Sequence, residues 1–131
     1  IRTSFLSAKR VRDAYLGYAT QQFRRLEARG GGSTCANTGK RAAKHARHLK
    51  RLCHQGLELY TTGRLTIRVE DPEEYHDFGE RVAADAAVAR PLLRSFESAF
   101  DERRGALPEQ PDETAVEAWL RRVRAHFYTP E

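Results

Sequence analysis

Four side chains in one short stretch, His45, His48, Cys53 and His54, are of types that bind zinc. A zinc ion needs its ligands to converge on one point from tetrahedral directions. If the stretch is helical, at about 100° per residue, His45 and His48 lie about 60° apart and His54 points about 180° from His45. Cys53 falls on the apolar side. One helix cannot close such a site, so no metal and no cofactor are expected. The three histidines are expected to extend a basic surface whose charge varies near a pH of about 6.5.

Other chemical motifs fail in the same way. Thr38-Gly39-Lys40-Arg41 contains the Gly-Lys pair of a phosphate-binding loop, but Thr34 stands where the first glycine belongs and Arg41 where a Ser or Thr belongs. It also follows a helical pattern rather than a strand. Glu73, Glu74, Asp77 and Glu80 could be taken for a general acid and base, yet the first two suit a helix start and nothing marks any of them as held in a dry pocket. No serine sits in a nucleophile elbow and neither cysteine has a catalytic context. The chain is not expected to be an enzyme or to take a small-molecule substrate.

What remains is charge. Lys40, Lys44, Arg47 and Arg51 recur at helical spacing, and residues 40–57 contain no acid for the i to i+4 pairing that solvated faces use. Arg24 and Arg25, at the end of the preceding helical pattern, can enlarge the same surface if a hairpin folds back. We expect Arg24, Arg25, Lys40, Lys44, Arg47, His48 and Arg51 to contact an anionic partner: RNA, an anionic lipid surface or acidic protein. Base readout needs Asn, Gln or stacking aromatics beside the charges, and the stripe has none, so contact without sequence choice fits better.

The whole chain repeats this asymmetry. Residues 1–54 carry 13 Lys or Arg against 2 acids, and residues 55–131 carry 10 against 16. A cationic half that seeks polyanions is joined to an anionic half that repels them. With 131 residues, 40% hydrophobic and 31% charged, the chain is expected to form one domain spanning 1–131. No apolar run approaches the roughly 20 residues of a membrane span, so a soluble or peripheral protein is expected. Cys35 and Cys53 cannot make a secreted disulfide framework and are read as free thiols in a reducing compartment.

These side chains must be positioned by helices. Val11, Tyr15, Ala19, Phe23 and Leu26 predict a first helix over about Ser7 to Arg29, and residues 30–39 then read as a flexible glycine-rich connection. From Lys40 to Thr62, Ala42, Ala46, Leu49, Cys53, Gly56 and Tyr60 fall within about 80° of one another, opposite the basic stripe. Small residues there would let a neighbouring helix approach closely, and Gly63 is a natural stop. Residues 64–70 alternate like a strand without a partner. They are read as an extended connector, or as an edge on which Leu65, Ile67 and Val69 meet another protein.

Asp71-Pro72-Glu73-Glu74 combines an N-cap, a proline at the first helical position and acids in the first turn. The helix it starts presents Tyr75, Phe78, Val82, Ala86, Ala89, Leu93, Phe96 and Phe100 on one side. Pro91 predicts a kink, or two helices meeting near Arg90. After a loop over 105–111, Asp112 caps a last helix with Val116, Trp119, Leu120, Val123 and Phe127 as its inner side. The expected fold is all-α, an irregular three- or four-helix bundle with one short extended segment at about 64–70.

The order of a Tyr-rich first helix, a basic second helix and Asp71-Pro72-Glu73-Glu74 before a third faintly resembles the mitochondrial LYR-motif adaptor proteins, which are small helical subunits and assembly factors. Leu16-Gly17-Tyr18 stands where their defining tripeptide would fall and lacks its Tyr and Arg. Residues 1–12 mix Arg and Lys with hydroxyl and apolar residues and hold no acid, a composition similar to a mitochondrial transit peptide or the region after its cleavage. A chain opening on Ile1 and lacking Met is expected to miss N-terminal sequence. The leading expectation is a non-catalytic helical accessory subunit of a large multi-protein or ribonucleoprotein assembly, such as a mitochondrial ribosome or respiratory complex, whose partners are other protein subunits. The alternative is a free-standing, sequence-nonspecific nucleic-acid-binding protein.

Overall fold

The computed structural model describes residues 2–29, 36–102 and 105–128. The protein is all-α: α1 (Arg2–Phe5), α2 (Ala8–Arg29), α3 (Ala36–Thr62), α4 (Pro72–Ala84), a 3-10 turn (Ala86–Ala89), α5 (Arg90–Glu102) and α6 (Glu113–Tyr128). No strand occurs among the described residues. The central element is α3, about 40 Å long at 1.5 Å per residue, which packs on α2, α4 and α5. Ala19, Phe23 and Leu26 of α2, Ala46, Leu49 and Cys53 of α3, Phe78 and Val82 of α4, and Leu93, Phe96 and Phe100 of α5 form the main core.

Helix ends fall where side chains satisfy free backbone amides. Asp71 Oδ1 accepts from Glu74 N at 3.1 Å, Asp85 Oδ1 from Ala87 N at 2.9 Å and Asp112 Oδ1 from Ala115 N at 2.9 Å. Asp71→Ala is expected to lower stability by about 1 kcal/mol and Asp71→Ser to retain most of it, read from urea midpoints. Gly63 ends α3 with φ of 69°, a conformation that costs a side-chain-bearing residue energy.

Close approach of helices relies on two glycines. A Cβ on Gly56 would lie 2.6 Å from the Tyr15 ring, in keeping with the small-residue face expected of α3. Gly79 does the same for α4: a Cβ there would lie 2.9 Å from the Ala43 carbonyl oxygen.

The structure corrects two sequence expectations, the first and fourth below, and decides two that the sequence left open. First, α3 begins at Ala36 rather than Lys40, so residues 36–39 of the expected flexible connection are helical. Packing on three neighbours along a long helix outweighs the roughly 1 kcal/mol penalty of Gly39. Residues 30–35, with Cys35, lie outside the described residues. Second, residues 64–70 are the connector rather than a strand: among the described residues no segment offers a ladder, and side chains of α3 hold them as an irregular strap. Gln55 donates to Thr66 O at 2.9 Å, while Glu58 accepts from Thr66 N at 2.8 Å and from Thr66 Oγ1 at 2.6 Å.

Third, of the two readings at Pro91 the structure has the second: α5 starts at Arg90, after a 3-10 turn over Ala86–Ala89 that Asp85 caps. Fourth, the inner side expected for α6 is not buried. Val116, Trp119, Leu120 and Val123 are only partly covered, and Phe127 is 73% exposed. The helix against which α6 packs is α1, through the edge of Phe5 on Trp119 at 5.6 Å. Backbone bonds from Ala8 N to Pro108 O and from Asp112 N to Ser4 O complete this junction of the two chain ends.

Candidate anion-binding groove

Lys44, Arg47, His48 and Arg51 occupy successive turns of α3 where it faces the first turn of α4. With Val69 of the strap and Pro72, Tyr75 and His76 of α4 they line an open groove of about 330 Å³. Three cations and two imidazoles thus converge on one cavity with no carboxylate in its lining. The apolar surfaces of Val69, Pro72 and Tyr75 complete it.

The cations are held in place. Arg47 donates to His76 Nδ1 at 3.2 Å and lies 3.9 Å from the Glu80 carboxylate. Arg51 donates to His48 Nδ1 at 3.1 Å. A guanidinium can only donate, so both imidazoles accept at Nδ1 and carry their proton on Nε2. Burial, then Arg51 and His45, lowers the proton affinity of His48. Burial, then Lys50, does the same for His54, against an opposing effect of Glu74. The Tyr75 hydroxyl, 2.6 Å from His54 Nδ1, is kept protonated by burial and by Glu74.

A depressed histidine pKa fixes the sign of a pH effect. Below the ordinary value of 6.5 the unfolded chain takes up protons that folded His48 and His54 resist, so native stability is present above that pH and lost as the pH falls. The urea midpoint is therefore expected to drop between about pH 7 and pH 5, and His48→Gln with His54→Gln to flatten that drop. An anion in the groove favours protonated His48, so anion affinity should rise over the same interval.

Beneath the groove, Lys50 is only 6% exposed. Its ammonium donates to Glu74 at 2.6 Å and lies 5.0 and 5.2 Å from the Tyr75 and Phe78 ring centres. This pair and the two rings fasten the first turn of α4 to α3. On the other side of Arg51, Val69 and Tyr75 lies a second cleft of about 350 Å³, where Glu58, Glu70, Asp71 and Glu74 outnumber Arg51 and Arg68. A basic and an acidic cavity therefore adjoin.

Compared with protein-family models, curated proteins and solved structures, the chain matches none. The likeness to LYR-motif adaptors rests on element order alone. In that region Leu16 is half-buried and Gly17 and Tyr18 are exposed.

Of the residues expected to meet an anion, Lys44, Arg47, His48 and Arg51 come together in the groove. Arg25 does not line it; by register it shares a face of α2 with Tyr18, two turns earlier, whose ring meets the edge of His48 at 5.9 Å. Lys40 and Arg24 are exposed and do not line it. Of the expected protein contacts, Val69 lines the groove, while Leu65 and the 80% exposed Ile67 stand on the strap outside it.

Sequence reasoning missed Lys50, Tyr75 and His76. Lys50 had a signal: it stands four residues after Ala46 and three before Cys53, inside the apolar stripe, where a cation must find a partner. The others depend on how the strap and cap deliver α4 to α3, which no local pattern encodes.

Cys53 and His54, adjacent in sequence, are parted by the fold. Cys53 lies in the main core, where burial pushes its thiol up to about 12, and His54 turns to Tyr75. Among the described residues no group of three or more His, Cys, Asp or Glu has a metal-binding arrangement. Among them, too, no helix is long and apolar enough to cross a membrane.

Proposed function

We propose that the chain is a non-catalytic helical docking subunit of a larger assembly, which receives an anionic segment of a partner in the groove between α3 and α4. The convergence of Lys44, Arg47, His48, Arg51 and His76 on a cavity lined by no carboxylate carries this reading. Fixed cations attract an anion over about 8 to 10 Å at physiological salt, and the apolar lining rewards contacts from the stem that bears the charge. Acidic protein fits better than RNA, because a phosphate backbone leaving the groove past Val69 would enter the acidic cleft. The composition of residues 1–12 favours a mitochondrial setting for that assembly.

A sequence-nonspecific nucleic-acid binder is the second reading, supported by the further exposed cations Arg24 and Arg25 of α2 and Lys40 and Arg41 of α3. Anisotropy of the full chain with a labelled Glu- and Asp-rich peptide and with a labelled single-stranded RNA separates the two. Tighter peptide binding at physiological salt supports the docking subunit. Tighter RNA binding, with the steep salt dependence of counterion release, supports the second reading and overturns the first. Binding of neither overturns both.

A further inference from the structure

The half-covered apolar side of α6 has a spacing and a charge order that fit one partner. Val116, Leu120, Val123 and Phe127 recur at steps of four, three and four, the a and d pattern of a helix that packs on another helix. None is buried. Glu117 and Arg124 are seven residues apart, so they lie on the same flank of this stripe with opposite charge. Glu117 is paired with Arg121 of its own helix at 3.0 Å, and Arg124 makes no ion pair among the described residues.

Opposite charges one heptad apart on one flank are self-complementary only when two copies run antiparallel. In that arrangement flanks of the same kind face each other, and a two-fold axis brings Glu117 of each copy to Arg124 of the other. The same register sets Leu120 against Val123 and Val116 against Phe127 of the second copy. A parallel pair would instead oppose Glu113 to Glu113 and Asp112 to Glu117, like charge to like.

The monomer also has room for this register. Beside Val116 an open cavity of about 400 Å³ is lined by Phe5, Pro111 and the flank residues Arg10, Glu113 and Glu117. The phenyl ring of the second copy's Phe127 would arrive at its mouth, which accounts for an aromatic side chain left 73% exposed at the far end of α6. We propose that α6 is a homotypic interface: it pairs antiparallel with α6 of a second copy of this chain. One helix of 16 residues per copy buries a small area, so the dimer is weak and reversible.

Sedimentation of the full chain from about 1 µM to about 1 mM, the range of weak specific association, tests this. A concentration-dependent monomer–dimer equilibrium is expected. Because Phe127 is exposed, Phe127→Glu leaves the monomer folded, as circular dichroism will show, and weakens dimerisation at least tenfold. Arg124→Glu weakens it at low salt, and the double variant Glu117→Arg/Arg124→Glu restores it, since each new pair is again opposite in charge. A chain that stays monomeric across the range overturns the proposal. So does a dimer indifferent to Phe127→Glu, and a failure of the double variant to recover overturns the antiparallel register.

Discussion

Gly79→Val is expected to lower stability by about 2–3 kcal/mol and to disrupt the groove. A Cβ at this position would sit 2.9 Å from the Ala43 carbonyl oxygen and 2.9 Å from Arg47 Cγ. The arginine stem can move, but the oxygen belongs to the backbone of α3, so α3 and α4 must separate. Separation uncovers Phe78 and Val82, which both helices bury, and moves Arg47 away from His76. Gly17→Ala is the contrast. Nothing lies within 4 Å of its added Cβ, so it should gain the helix preference of alanine, up to about 1 kcal/mol. Urea unfolding of the two variants beside the parent measures both, and equal midpoints for Gly79→Val and the parent would show that the helices are not in close contact there.

Lys44→Gln/Arg47→Gln/Arg51→Gln is expected to reduce affinity for an anionic partner about a hundredfold at physiological salt. Exposed charge contacts contribute up to about 1 kcal/mol each, and three of them together approach that factor. The loss should shrink as salt is added, because the same ions screen the parent. Folding should change little. Lys44 and Arg51 are exposed, and the contact of Arg47 with Glu80 spans 3.9 Å to a carboxylate in solvent. Anisotropy with the acidic peptide reads the affinity and circular dichroism the fold. Unchanged affinity in a folded triple variant means that the docking surface lies elsewhere.

The helices were legible in the sequence because their signals are local. Asp71 and Asp112 cap as expected, Gly63 ends α3, and the steps of three and four along α2 and α3 place Ala19, Phe23, Ala46, Leu49 and Cys53 in the core. Two kinds of information were not local. Period-2 alternation in residues 64–70 shows which residues differ in polarity, but whether a strand forms depends on a ladder partner; here Glu58 and Gln55 take the backbone groups of Thr66 instead.

An amphipathic helix likewise declares that it has an apolar side without declaring who covers it. For α3 the cover is α2, α4 and α5; for α6 it is mainly α1. The basic half of the groove was readable for the same reason as the core, since Lys44, Arg47 and Arg51 share a helical face. Tyr75 and His76, its other half, arrive through the strap, the Asp71 cap and the buried Lys50 contact with Glu74.

The contacts that build the body join helices adjacent in sequence, α2 with α3 and α3 with α4, so little chain has to be closed into loops before packing begins. The clasp between α1 and α6 is the opposite case. It joins residues more than a hundred positions apart, through Ser4 and Asp112 and through Phe5 and Trp119, and α6 contributes no buried residue. Closing it is therefore expected to come after the body packs, and to add less stability than the buried core does. Two levels of cooperativity are expected to follow: a body that opens only by unfolding, and a clasp that opens on its own, which hydrogen exchange would read as α6 amides exchanging ahead of those of α3.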